Sequence, residues 1–159
     1  MDFAELISNF AERHGIADLT AEDNAAALDI DGIVVTLVAA DDALSISADI
    51  GEPPVEGRAD FAELMLEANL QLDAFFAKAP ESGAYVLVRR LALPTLDPES
   101  FDAALESLVN QAETWRRLLA DFRPAAKAAA EAVAEEPSFG AGGFVQVWAA
   151  FMDMTAWMS

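Results

Sequence analysis

Residues 27–50 read ALDIDGIVVTLVAADDALSISADI, and the period of this stretch decides the fold. Leu28 and Ile30 alternate with Asp29 and Asp31, and Leu44, Ile46, Ala48 and Ile50 alternate with Ser45, Ser47 and Asp49. A period of two belongs to a strand whose two faces meet different surroundings. Between these runs lies IVVTLVA, apolar on both sides, as suits a central strand. Asp31-Gly32 joins the first two runs and supplies the two positive-φ residues that a tight hairpin needs. Asp41-Asp42 separates the second run from the third. Three antiparallel strands are therefore expected, the third with one wet face. The fragment DIDG also matches the opening of a calcium loop, but the later ligands and the closing Glu of an EF-hand are missing at the required spacing, so the expected role is a turn.

On the N-terminal side, residues 2–14 carry Phe3, Leu6, Ile7 and Phe10 at helical spacing, with Gly15 in the stop position. His14, the only histidine, falls in the last turn, where a cation is favoured by the helix dipole. On the C-terminal side, the loop Gly51-Glu52-Pro53-Pro54 to Gly57 leads into DFAELMLEANLQL at 60–72. Drawn as a helix, this stretch puts Phe61, Leu64, Met65, Ala68 and Leu72 on one side and Leu66 and Leu70 on nearly the opposite side. Two apolar faces require two partners: the chain's own sheet and, most simply, a second copy of the chain. Asp60 as N-cap with Glu63 three residues on is the expected start.

A fourth strand is expected around Phe75-Phe76, turning at Pro80 to Gly83 into AYVLVRRLAL. There Tyr85, Leu87, Arg89, Leu91 and Leu93 share one face. The adjacent Arg89 and Arg90, in so acidic a chain, are expected to pair with carboxylates of this chain or a partner rather than with substrate. Asp97-Pro98-Glu99 then opens the longest helix, with Phe101, Leu105, Leu108, Ala112, Trp115, Leu119 and Phe122 forming one packing stripe. Pro124 ends or kinks it. The expected class is α+β, in the order α-β-β-β-α-β-β-α, with a twisted antiparallel sheet, three helices and a C-terminal helical/apolar extension. The expected division is 1–122 for the domain and 123–159 for the extension.

That extension holds an alanine-rich run at 125–134, a linker at 137–143, and then FVQVWAAFMDMTAWM, with two Trp, two Phe and three Met. So apolar a segment is not expected to stay in water. Four destinations are open: its own domain, a dimer contact or exchange between protomers, the protein's own ligand groove, or a membrane surface. Asp153 and the absence of flanking bases weigh against the membrane.

The 159 residues suit one domain with a real core. A net charge of −19 opposes nucleic-acid binding, which needs basic patches. The chain has no cysteine, so disulfides and thiolate metal sites are excluded. The acidic N-terminus lacks the pattern of an export signal, and no apolar run approaches the roughly 20 residues of a membrane span. There is no GxSxG, no Gly-rich phosphate loop and no Cys/His pair, and nothing singles out two of the 28 Asp and Glu residues as acid and base. An enzyme is not expected, and neither is a cofactor or metal.

The element order, in an acidic cysteine-free chain, resembles the Tir chaperone (CesT-like) family of type III secretion chaperones. LMLEANLQL at Leu64 to Leu72 is similar to the family's leucine-rich segment, and LVNQAETWRRLL at Leu108 to Leu119 to its final-helix pattern. ADIGEPP at Ala48 to Pro54 is similar to the end of its third strand. The resemblance covers about residues 1–122. It implies a homodimer in the bacterial cytoplasm that holds the extended N-terminal segment of a secreted effector, without ATP, by offering grooves and strand edges. It assigns Leu64, Met65, Ala68, Leu72 and Phe75 to the dimer contact, and Leu6, Phe10, Leu28, Ile30, Val35 and Leu44 to client grooves. A second implied reading is a regulatory or protein-interaction domain like the YbjN-like relatives, of the same fold but without an export role.

Overall fold

A computed structural model describes residues 2–123; all but the first residue of the expected extension at 123–159 lies outside them. The order is helix α1 (Phe3–His14), strands β1 (Ala25–Ile30), β2 (Ile33–Ala40) and β3 (Ala43–Gly51), helix α2 (Arg58–Ala68), strands β4 (Phe75–Lys78) and β5 (Tyr85–Ala92), a 3-10 turn at Leu93–Thr95, and helix α3 (Pro98–Ala120). All strand pairs are antiparallel, in the order β1-β2-β3-β5-β4. The expected element order is the observed one.

The hairpin turn forms as its sequence dictates. Asp31 and Gly32 have φ of 53° and 84°, and the Asp29 side chain accepts a 2.8 Å bond from the Gly32 N–H. Asp29 is thus occupied in shaping the turn. β2 is an interior strand, but the middle of the sheet is β3, and the second apolar face of β2 leaves Val34 and Val38 exposed at 48% and 42%. The reason is that the helices share one face of the sheet. On that face Val35, Leu37, Leu44, Ile46, Ala48 and Leu87 are fully buried, and the aromatic contacts tie the helices to it. Phe10 of α1 meets Phe101 of α3 edge-on at 5.3 Å, and Phe61 of α2 stacks on Tyr85 of β5 at 5.9 Å.

Local signals set the helix ends. Asp2 and Glu5 form a capping box at α1, and Gly15 closes it in the left-handed region at φ 66°. α2 differs from expectation. It begins at Arg58, two residues before Asp60, with Gly57 as N-cap at φ 76° and no side-chain cap. A glycine in the left-handed region lets the chain enter the helix early, and the Phe61 N–H bonds to the Gly57 carbonyl at 3.0 Å. Asp60 therefore sits in the first turn, where it faces the positive end of the dipole.

α3 begins as the sequence requires, with Asp97 as N-cap and Pro98 first. The Ser100 backbone N–H, at 2.7 Å, and then the Ser100 hydroxyl, at 3.0 Å, hold the Asp97 carboxyl below its ordinary value. A lowered carboxylate pKa stabilises the fold above the usual carboxylate range, and this contribution is lost as pH falls through the lowered value. Thermal midpoints should therefore separate the native chain from Asp97→Ala at neutral pH and converge in strong acid. A gap that persists unchanged in acid would show that the carboxylate charge is not the source.

Candidate functional site

The surfaces available to a partner are those the packing leaves over. α1 is held to α3 by a charged clasp. Arg13 donates to both Asp102 oxygens at 2.6 and 2.9 Å and to the Pro98 carbonyl at 3.1 Å. His14 lies 3.2 Å from the same carboxylate, with its ring 4.5 Å from Phe10. The clasp fixes the end of α1, beside which an open hollow of about 480 Å³ is lined by Ala11, Ile16 and Leu19 among others.

The residues assigned to client grooves fall into two groups. Leu6, Phe10, Val35 and Leu44 are buried within the chain's own core, whereas Leu28 and Ile30 are half-buried on β1, the edge strand. Their side chains lie on the helix-covered face, paired in register with Val35 and Ile33. The outward side of β1 has no strand beside it among the described residues. Leu6 and Phe10 are buried on the core side of α1 and do not line the hollow.

The residues assigned to the dimer contact divide similarly. Leu64, Met65 and Ala68 are buried against the chain's own sheet and helices, Leu72 is half-buried, and Phe75 is 36% exposed. What α2 and the turn after it leave in solvent is the opposite face: Leu66 at 67% and Leu70 at 90%. This two-faced character was legible in the spacing of the sequence. Val34 and Val38 were not singled out by it, although IVVTLVA, apolar on both sides, carried the signal.

The chain between α2 and β4 is pinned by a polar network. Arg89 pairs with Asp73 at 3.0 Å, the intramolecular partner expected of it, and Gln111 of α3 donates to Asp73 at 3.2 Å. The Gln111 Oε1 is buried with no hydrogen-bond partner among the described residues. The Asn69 side chain accepts from the Phe76 N–H at 2.9 Å, tying the end of α2 to β4. Arg90 points to the other face of the sheet, its guanidinium 5.7 Å above the ring of Phe75.

A second hollow, of about 440 Å³, lies at the α1–α3 junction beside Asn9, Arg13 and Pro98 and is also open. Among the described residues no group of three or more His, Asp or Glu side chains is placed to hold a metal ion. No described helix is long and apolar enough to cross a membrane. The arrangement offers apolar surface, a strand edge and acidic surroundings, which is the equipment of binding.

The model of the Tir chaperone protein (CesT) family matches residues 5–116. Among solved structures, the chain is similar to a chain of the ExsC–ExsE complex, at 27% identity and a TM-score of 0.66, over 75% of this chain and 97% of that one. A chain of the HopA1–SchA chaperone–effector complex matches at 16% identity and 0.60, over 71% and 91%. A chain of the Yersinia pestis complex of the type III secretion chaperone SycH with a fragment of YscM2 matches at 21% and 0.58, over 72% and 99%. The latter two likenesses speak to fold alone. No curated protein gave a significant match.

Proposed function

The chain belongs to the Tir chaperone protein (CesT) family, and from this premise we propose that it is a homodimeric secretion chaperone for a type III effector. It holds the extended N-terminal segment of its client and keeps it soluble and secretion-competent in the bacterial cytoplasm. No reaction is catalysed and no ATP is used, because holding a chain extended requires only surface. The observation that carries this reading is the family match over residues 5–116, joined to the 27% identity with a chain of the ExsC–ExsE complex.

The surfaces fit the task. A client segment adds its main chain to the open side of β1, beside the half-buried Leu28 and Ile30, and lays apolar side chains into the hollow at Ala11, Ile16 and Leu19. Leu6, Phe10, Val35 and Leu44 support these contacts from the core. The self-contact uses Leu66 and Leu70, with Phe75 and Leu72 at its side and Leu64, Met65 and Ala68 behind it holding α2. A two-fold contact of this kind presents the same patch from both copies.

The test is affinity capture from the source cells with identification by mass spectrometry, followed by reconstitution with the purified N-terminal fragment of the captured protein. A complex that forms without nucleotide, with an exported protein, and raises the solubility of the fragment is the expected result. Capture only of proteins that are never exported would instead favour the regulatory or interaction domain of the same fold.

A further inference from the structure

The face of the sheet away from the helices carries Val34, Thr36 and Val38 of β2, which pair in register with Asp29, Ala27 and Ala25 of β1, respectively. On the other side Thr36 and Val38 pair with Ser47 and Ser45 of β3. Val34 and Val38 are largely exposed, no charge interrupts the middle of this face, and the one basic residue at an outward position is Arg90, paired with Ser45. Arg90 has no ion pair among the described residues. In a chain of net charge −19, a face whose centre is Val34, Thr36, Val38, Ser45 and Ser47, with Asp29, Asp49 and Arg90 only at its margins, is a surface suited to being covered.

The described chain ends on the helix-covered side of the sheet, where Phe122 meets Phe61 at 5.0 Å, but at the end of the sheet that carries Val34. Arg116, near the end of α3, donates to the Gly32 carbonyl in the β1–β2 turn at 3.1 Å. Leu119 packs so close to Gly51 at the end of β3 that a Cβ there would meet its Cδ2 at 3.2 Å. The chain therefore leaves α3 at the end of the sheet where Val34 stands next to the turn. Residues 124–143 reach about 30 Å even if wholly helical, whereas the layers of a packed domain lie about 10 Å apart. The stretch 144–158 that follows has one charged side chain, Asp153. Fifteen residues cover about 22 Å as a helix, which matches the width of five strands at about 4.8 Å spacing.

We propose that residues 144–158 dock on the outer face of the chain's own sheet, over Val34 and Val38, with Asp153 facing Arg90. The reach of the chain and the pairing of a single acid with a single base select this occupant over a second copy or a client. The proposal rests on packing and holds whether or not the protein escorts an effector.

The chain has three tryptophans, of which Trp115 is 2% exposed, so acrylamide quenching of the full-length protein reports on Trp148 and Trp157. Quenching should be weak in the native chain, independent of dilution, and several-fold stronger in Val34→Asp/Val38→Asp, with the far-UV spectrum unchanged because both valines are exposed. Arg90→Asp and Asp153→Arg should each raise quenching, and their combination should restore protection. This second arm decides the matter if the valine variant misfolds. Strong quenching in the native chain would overturn the proposal. So would protection lost on dilution, which points to a second copy, or protection abolished by Leu66→Asp/Leu70→Asp and untouched by the sheet variants.

Discussion

Leu66→Asp/Leu70→Asp should convert the proposed dimer to a monomer at every concentration accessible to sedimentation equilibrium. Both side chains are solvent-exposed in the single chain, at 67% and 90%, so the substitutions spare the core, and the monomer should keep its helical and strand spectrum. In a two-fold contact each leucine is counted twice. Four leucines at about 2 kcal/mol each give roughly 8 kcal/mol of lost burial, which corresponds to a dissociation constant weakened on the order of 10⁶-fold. Aspartate adds the cost of placing acids against acids in a chain already at −19. A double variant that still sediments as a dimer would place the self-contact elsewhere.

Phe61→Ala should cost about 3–5 kcal/mol of unfolding free energy, read as a lower denaturant midpoint with an unchanged slope. Phe61 is 1% exposed and joins three parts of the fold: it stacks on Tyr85 of β5, meets Trp115 of α3 edge-on at 6.0 Å, and meets Phe122 at 5.0 Å. A domain of this size has about 5–15 kcal/mol in total, so the loss is a large share. Because Phe61 anchors α2, the variant should weaken the self-contact as well. Phe61→Leu keeps most of the volume and should recover much of both losses. A loss below about 1 kcal/mol would mean that the site collapses to fill the cavity.

Wherever a repeating pattern was imposed by a single element, the fold could be read from the residues. The alternation at Leu28–Ile30 and Leu44–Ile50, the Asp31-Gly32 turn, the Asp97-Pro98 start and the stripe from Phe101 to Trp115 all appear in the structure as expected. The start of α2 was misread because the Asp60–Glu63 spacing satisfies a capping box, while Gly57 reaches the left-handed conformation at lower cost and begins the helix first. The resemblance to the secretion chaperones was legible in LMLEANLQL and LVNQAETWRRLL, and the family match over residues 5–116 agrees with it.

The candidate site was less legible, for a physical reason. Periodicity states which side chains share a face but not what covers that face. Phe61, Leu64, Met65 and Ala68 separate from Leu66 and Leu70 on the sequence alone, yet only the packing of the helices on one side of the sheet showed which set is inside. Leu6, Phe10, Val35 and Leu44 read equally well as groove or core, and tertiary contacts placed them in the interior. The same packing left Val34 and Val38 on an open face, because a single layer of helices covers one side of a sheet. The sequence by itself determined the elements, their order and their turns, since these follow from interactions a few residues apart. Which apolar faces are left for partners depends on contacts between residues distant in sequence, and only the tertiary structure decided it.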